Sequence, residues 1–67
     1  MPPTPKQVIK LLESKGFVLK RVRGSHYLYE HPETGRFTIV PFHTKDLTKG
    51  TYHGILKQAG IDRSELD

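Results

Sequence analysis

The chain has 67 residues, 11 of them Lys or Arg and 7 Asp or Glu, for a formal charge of +4. That length admits one domain, 1–67, with a thin core, since so short a chain buries only roughly 60% of the surface it exposes unfolded. The absence of cysteine excludes a disulfide framework and a thiolate zinc site. No apolar run nears the ~20 residues that span a bilayer, and Met1–Pro5 lacks the pattern of a signal peptide. These features suit a soluble, cytoplasmic protein with no membrane partner.

The excess of positive charge favours an anionic partner, whether nucleic acid, a membrane surface or an acidic protein. Its distribution is uneven. Asp46, Asp62, Glu65 and Asp67 lie in the last third, so the basic excess falls in the first half, above all in Lys20-Arg21-Val22-Arg23. The plain alternative is that these cations only solvate an exposed strand.

The first element reads as a helix over about residues 5 to 15. Thr4 is placed as N-cap, Pro5 suits the first helical position, and Gln7 completes a Thr-x-x-Gln capping box. Val8, Leu11 and Leu12 form one apolar face, and Gly16 supplies a left-handed stop behind Lys15. Phe17–Arg23 reads as a strand. Gly24-Ser25 breaks it, and His26–Glu30 forms a second strand. The run His31–Gly35 is turn material with Pro and Gly at hairpin positions. Arg36–Val40 alternates Phe37 and Ile39 against polar neighbours and gives a third strand, ended by Pro41. After a loop over Phe42–Leu47, a second helix begins near Thr48. Its stripe is Tyr52, Ile55, Leu56 and Ala59, with Gly60 and Ile61 as the stop and its apolar follower. Asp62-x-x-Glu65 is a further capping pattern. The fold class is therefore α+β, in the order α-β-β-β-α. A three-stranded antiparallel meander carries both helices on one face and leaves the other to solvent. This architecture resembles a double-stranded-RNA-binding domain, a likeness of fold that does not assign function.

The segment richest in chemistry is Lys20–Tyr27. Three cations, Lys20, Arg21 and Arg23, lead into a Gly24-Ser25 turn that delivers His26 to the start of a strand. Turn amides, the Ser25 hydroxyl and guanidinium groups can together hold a phosphate. A histidine beside it can move a proton in either direction near neutral pH. RNA carries its own nucleophile in the 2′-hydroxyl, so cleavage there needs no metal, cofactor or protein nucleophile. Against this, a strand histidine is more often structural. His26 also shares the phase of Leu28 and would turn inward with it if Leu28 packs in the core, unless a strand end or a bulge beside Gly24 releases it. Strict alternation likewise keeps Lys20, Arg21 and Arg23 from all facing one ligand. Arg36, Lys45 and Lys49 are candidates to extend the patch. Four histidines, His26, His31, His43 and His53, show no metal-ligand spacing, and no metal is expected.

Phe17, the triplet Gly24-Ser25-His26 followed by an aromatic, Val40-Pro41 with His43 after it, and Lys49-Gly50-Thr51 running into Ile55–Ile61 together resemble the HicA family. The set covers nearly the whole chain in order. The resemblance implies a bacterial toxin of double-stranded-RNA-binding-like fold that cleaves mRNA and is neutralised by a HicB-type antitoxin. It places the catalytic histidine at His26; the residues themselves point to RNA contacts at Lys20, Arg21, Arg23, Gly24, Ser25 and Tyr27. Many members carry a second histidine where this chain has Tyr27, which leaves Tyr27 as either a base-stacking or a packing residue. Tyr27 and His43 are the candidates for a second proton-transfer group. Two other readings stand beside this one: a non-catalytic RNA-binding module, and an interaction domain for an acidic protein.

Overall fold

The computed structural model describes residues 3–42, 46–62 and 64, and within them helix, three strands and helix follow in the expected order. Helix α1 (Pro5–Ser14) starts as its cap predicts: the Gln7 N–H donates to Thr4 Oγ1 at 3.2 Å, and the Thr4 N–H donates to Gln7 Oε1 at 2.9 Å. Helix α2 (Lys49–Ala59) starts on Thr48, whose Oγ1 accepts from the Thr51 N–H at 3.2 Å. Both helices end alike. Gly16 and Gly60 take positive φ of 96° and 73°. The next residues, Phe17 and Ile61, donate their N–H groups back to the carbonyls of Leu12 and Leu56 at 3.0 and 2.9 Å. This is the Schellman arrangement, and it turns an apolar side chain back onto the helix it follows. Phe17, Ile61, Leu12 and Leu56 are accordingly all buried in one core with Val8, Tyr29, Val40 and Ile55.

At Gly16 the left-handed backbone and a close neighbour act together. A Cβ there would lie 2.8 Å from His31 Nε2. That ring is held in place, because its Nδ1 accepts from the Glu33 and Thr34 N–H groups and its edge meets Phe17 at 5.2 Å. Gly16→Ala is expected to cost about 1–3 kcal/mol. The check is the urea midpoint, and an unchanged midpoint would show that the turn can move aside.

The strands β1 (Val18–Arg23), β2 (His26–Glu30) and β3 (Phe37–Pro41) form one sheet in the order β1-β2-β3, with both neighbouring pairs antiparallel. Both helices lie against β3, and the core runs between them and the sheet face formed by Tyr27 and Tyr29 of β2 and Thr38 and Val40 of β3. Burial raises the Tyr29 phenol above its ordinary range, with smaller contributions from Glu13 and Tyr27, so this side chain serves the core as a neutral aromatic.

Strand β3 faces the opposite way from what its most apolar residues suggest. Thr38 and Val40 are 0% exposed, whereas Phe37 and Ile39 are 60% and 47% exposed on the face away from the helices. Burying Thr38 is tolerable because its hydroxyl donates to Gln58 Oε1 of α2 at 2.6 Å, which removes the cost of an unpaired buried polar group. The Asp62 half of the last capping pattern is present, with Asp62 Oδ1 accepting from the Ser64 N–H at 3.0 Å. Glu65 lies outside the described residues, as do His43 and Lys45.

Candidate functional site

The β1–β2 connection is a two-residue turn. Gly24 has φ 59° and no described non-glycine residue, Ser25 included, has positive φ, so Gly24-Ser25 has the glycine-first pattern of a type II′ hairpin. The turn pairs Arg23 with His26, and the ladder then pairs Arg21 with Leu28. Across β2, His26 is paired with Pro41, Leu28 with Ile39 and Glu30 with Phe37. His26 does share the phase of Leu28. That phase, however, is the outward one, because the alternating tyrosines of β2, Tyr27 and Tyr29, take the core face. His26 is thus exposed on the helix-free side of the sheet without any bulge beside Gly24.

The cations reach the same side through an irregularity farther along. The β1–β2 register shifts between Leu19 and Arg21, leaving Lys20 as an extra residue. A bulge of this kind interrupts alternation. Lys20 consequently joins Arg21 on the outward face, and Arg23 follows two residues later. The expectation that strand phase divides these three cations is therefore corrected. Two adjoining hollows record the result. One, of about 260 Å³, is lined by Arg21, Arg23, His26, Leu28 and Ile39. The other, of about 310 Å³, is lined by Lys20, Arg21, Leu28, Glu30 and Phe37. Lys20 Nζ lies 3.7 Å from Glu30 Oε1 with both side chains well exposed, a pair worth at most about 1 kcal/mol. Among the described residues, no hydrogen bond or ion pair holds the His26 imidazole or the Arg21 and Arg23 guanidinium groups. They are available to a ligand.

Other residues singled out from the sequence fall elsewhere. Tyr27 points to the face opposite His26, packs against the core and stacks on Phe42 at 5.0 Å. The Ser25 carbonyl accepts from the Phe42 N–H at 2.6 Å, so Tyr27, Phe42 and the turn brace the hairpin from behind. Among the described residues, nothing lies within 4 Å of where a Cβ on Gly24 would be. Arg36 is turned to the far end of α2, where its guanidinium donates to the Gln58 carbonyl at 3.3 Å. Lys49 opens α2. His53 meets the Tyr52 ring at 4.5 Å, and His31 is committed to its own turn. The residues that sequence reasoning missed are Leu28, Ile39 and Phe37, which floor the two hollows. Their signal was the clash of two apolar phases in β3, Phe37 and Ile39 against Val40.

The chain is a small α-β-β-β-α domain whose open sheet face gathers a histidine and three cations. Comparison with curated proteins finds no match. The family model described as the HicA toxin of bacterial toxin–antitoxin systems matches residues 5–61. The chain belongs to the HicA toxin family, and as a toxin of such a system it has an antitoxin as its partner.

Proposed function

We propose that the chain is an endoribonuclease that cleaves mRNA at the open sheet face, with His26 as general base and acid. The observation that carries this reading is the shared hollow of His26, Arg21 and Arg23. A phosphate seated between the two guanidinium groups presents the neighbouring ribose to the imidazole. The imidazole takes the 2′-hydroxyl proton, the 2′-oxygen bonds to phosphorus, and the bond from phosphorus to the 5′-oxygen breaks. The imidazolium or water then protonates the leaving 5′-oxygen. Arg21 and Arg23 offset the charge that gathers on the non-bridging oxygens. Lys20 and the Gly24-Ser25 turn hold the flanking backbone. No step calls for a metal or cofactor.

The test is incubation of the protein and of its His26→Ala variant with a long single-stranded RNA in excess EDTA. Fragments from the parent alone support the reading. Intact RNA with both proteins, together with a mobility shift, replaces it with a non-catalytic RNA-binding module. One observation favours that second reading: among the described residues, no other proton-transfer group lines the hollow with His26.

The same cations set a salt dependence. Each phosphate contact releases counterions, so Arg21→Gln and Arg23→Gln are each expected to lower the slope of log affinity against log salt by about 1. Titration of RNA binding at several salt concentrations checks this, and an unaltered slope in both variants places the phosphates elsewhere. We also assign the antitoxin, of HicB type, to this face, where acidic groups set against Arg21 and Arg23 would speed association and cover His26.

A further inference from the structure

We infer that Phe37 is a base-stacking platform, and that the open sheet face reads single-stranded RNA rather than a duplex; the inference rests on RNA being the ligand of this face. Phe37 is the most exposed large apolar side chain among the described residues, at 60%. Nothing in the fold requires it outside. Strand β3 needs only Thr38 and Val40 for the core, so a polar residue at 37 would serve the fold equally well. With Leu28 and Ile39, Phe37 makes an apolar strip on the open face, and contiguous exposed apolar surface points to contact with something beyond the chain.

Its surroundings indicate what that is. Phe37 lines the hollow formed with Lys20, Arg21, Leu28 and Glu30, and Arg21 and Leu28 also line the hollow that holds His26. The two hollows therefore form one track along β2, cationic on the β1 side and apolar on the β3 side. Phe37 pairs with Glu30, four residues along β2 from His26, or about 13 Å at ordinary strand rise. A base on Phe37 is therefore a neighbour of the scissile nucleotide and not the scissile nucleotide itself. A track with backbone charge on one rim and an aromatic on the other suits a strand whose bases are splayed from its phosphates. Paired bases in a duplex offer no face to stack on Phe37. An antitoxin segment would use the apolar rim, but the three cations of Lys20, Arg21 and Arg23 favour a polyphosphate.

The experiment measures binding in a His26→Ala background, so that no RNA is cut. Phe37→Ala and Phe37→Tyr are compared on a single-stranded RNA oligomer and on the blunt duplex of the same sequence. Phe37→Ala is expected to weaken single-strand binding about 10-fold, in line with the loss of one stacked base. Phe37→Tyr should restore it, duplex binding should not change, and the salt slope should stay the same because no phosphate contact is lost. Unchanged single-strand affinity in Phe37→Ala overturns the inference. So does equal weakening on the duplex, or a loss confined to antitoxin binding. The ribonuclease reading is judged separately. A parent protein that cuts RNA while Phe37→Ala binds normally removes the platform and leaves the ribonuclease. A parent that needs Phe37 for binding yet never cuts does the reverse.

Discussion

Replacing His26 with alanine is expected to reduce RNA cleavage about 10²- to 10⁴-fold, the usual contribution of one general acid–base group, while leaving the fold intact. Both halves of that result follow from the placement of the side chain. His26 is exposed at the first position of β2, and its backbone, not its ring, makes the pairings with Arg23 and Pro41. No described residue hydrogen-bonds its imidazole. A surface substitution of this kind changes stability by roughly 0.5 kcal/mol or less. RNA affinity should change far less than rate, since Arg21, Arg23 and Lys20 remain. The measurement is a cleavage time course with a thermal melt and a binding titration on the same preparation. A folded His26→Ala variant that cuts at the parental rate would remove His26 from the mechanism. If cleavage and affinity fall by the same factor, His26 is a binding residue.

The second large effect is on stability. Leu56 is 1% exposed, lies in the core with Val8, Leu12 and Val40, and its carbonyl accepts the Ile61 N–H that closes α2. Leu56→Ala is expected to cost about 2–5 kcal/mol, by lost transfer energy and by the cavity left behind. A chain of this size holds roughly 3–10 kcal/mol in all, so the variant stands near the edge of unfolding. Urea titration followed by circular dichroism gives the value. A loss below about 1 kcal/mol would mean that Leu56 does not fill the core as described. The pair of variants also separates two kinds of inactivity: Leu56→Ala loses activity with its structure, and His26→Ala loses it without.

The elements were legible in the sequence because each carries its own local punctuation. Thr4 with Gln7, the glycines at 16 and 60, and Gly24-Ser25 all act through neighbours a few residues away, and those interactions hold in any tertiary setting. Facing was harder to read. In β3 the alternation of Phe37 and Ile39 against Thr38 and Val40 offers two apolar phases, and the choice depends on Gln58, twenty residues on, giving Thr38 a partner. In β2, Leu28 competes with Tyr27 and Tyr29, and the two aromatics bury more surface than one leucine. The histidine of the candidate site was visible from its turn, but its outward direction followed only once the tyrosines had taken the core. The gathering of the cations was hidden for another reason. Bulges leave no reliable mark in a run such as Leu19-Lys20-Arg21, and alternation was the wrong rule at that one step.

That extra residue has an evolutionary consequence. Every partner in the β1–β2 ladder is already matched on either side of Lys20, so a relative one residue shorter at this point would close into a regular ladder with all its other side chains facing as before. It would differ by a single positive charge on the exposed face. A relative one residue shorter anywhere between Arg21 and Arg23 would instead turn part of the strand over. Strand length at Lys20 is therefore a place where insertion or deletion can change the charge of the exposed face without renegotiating the core.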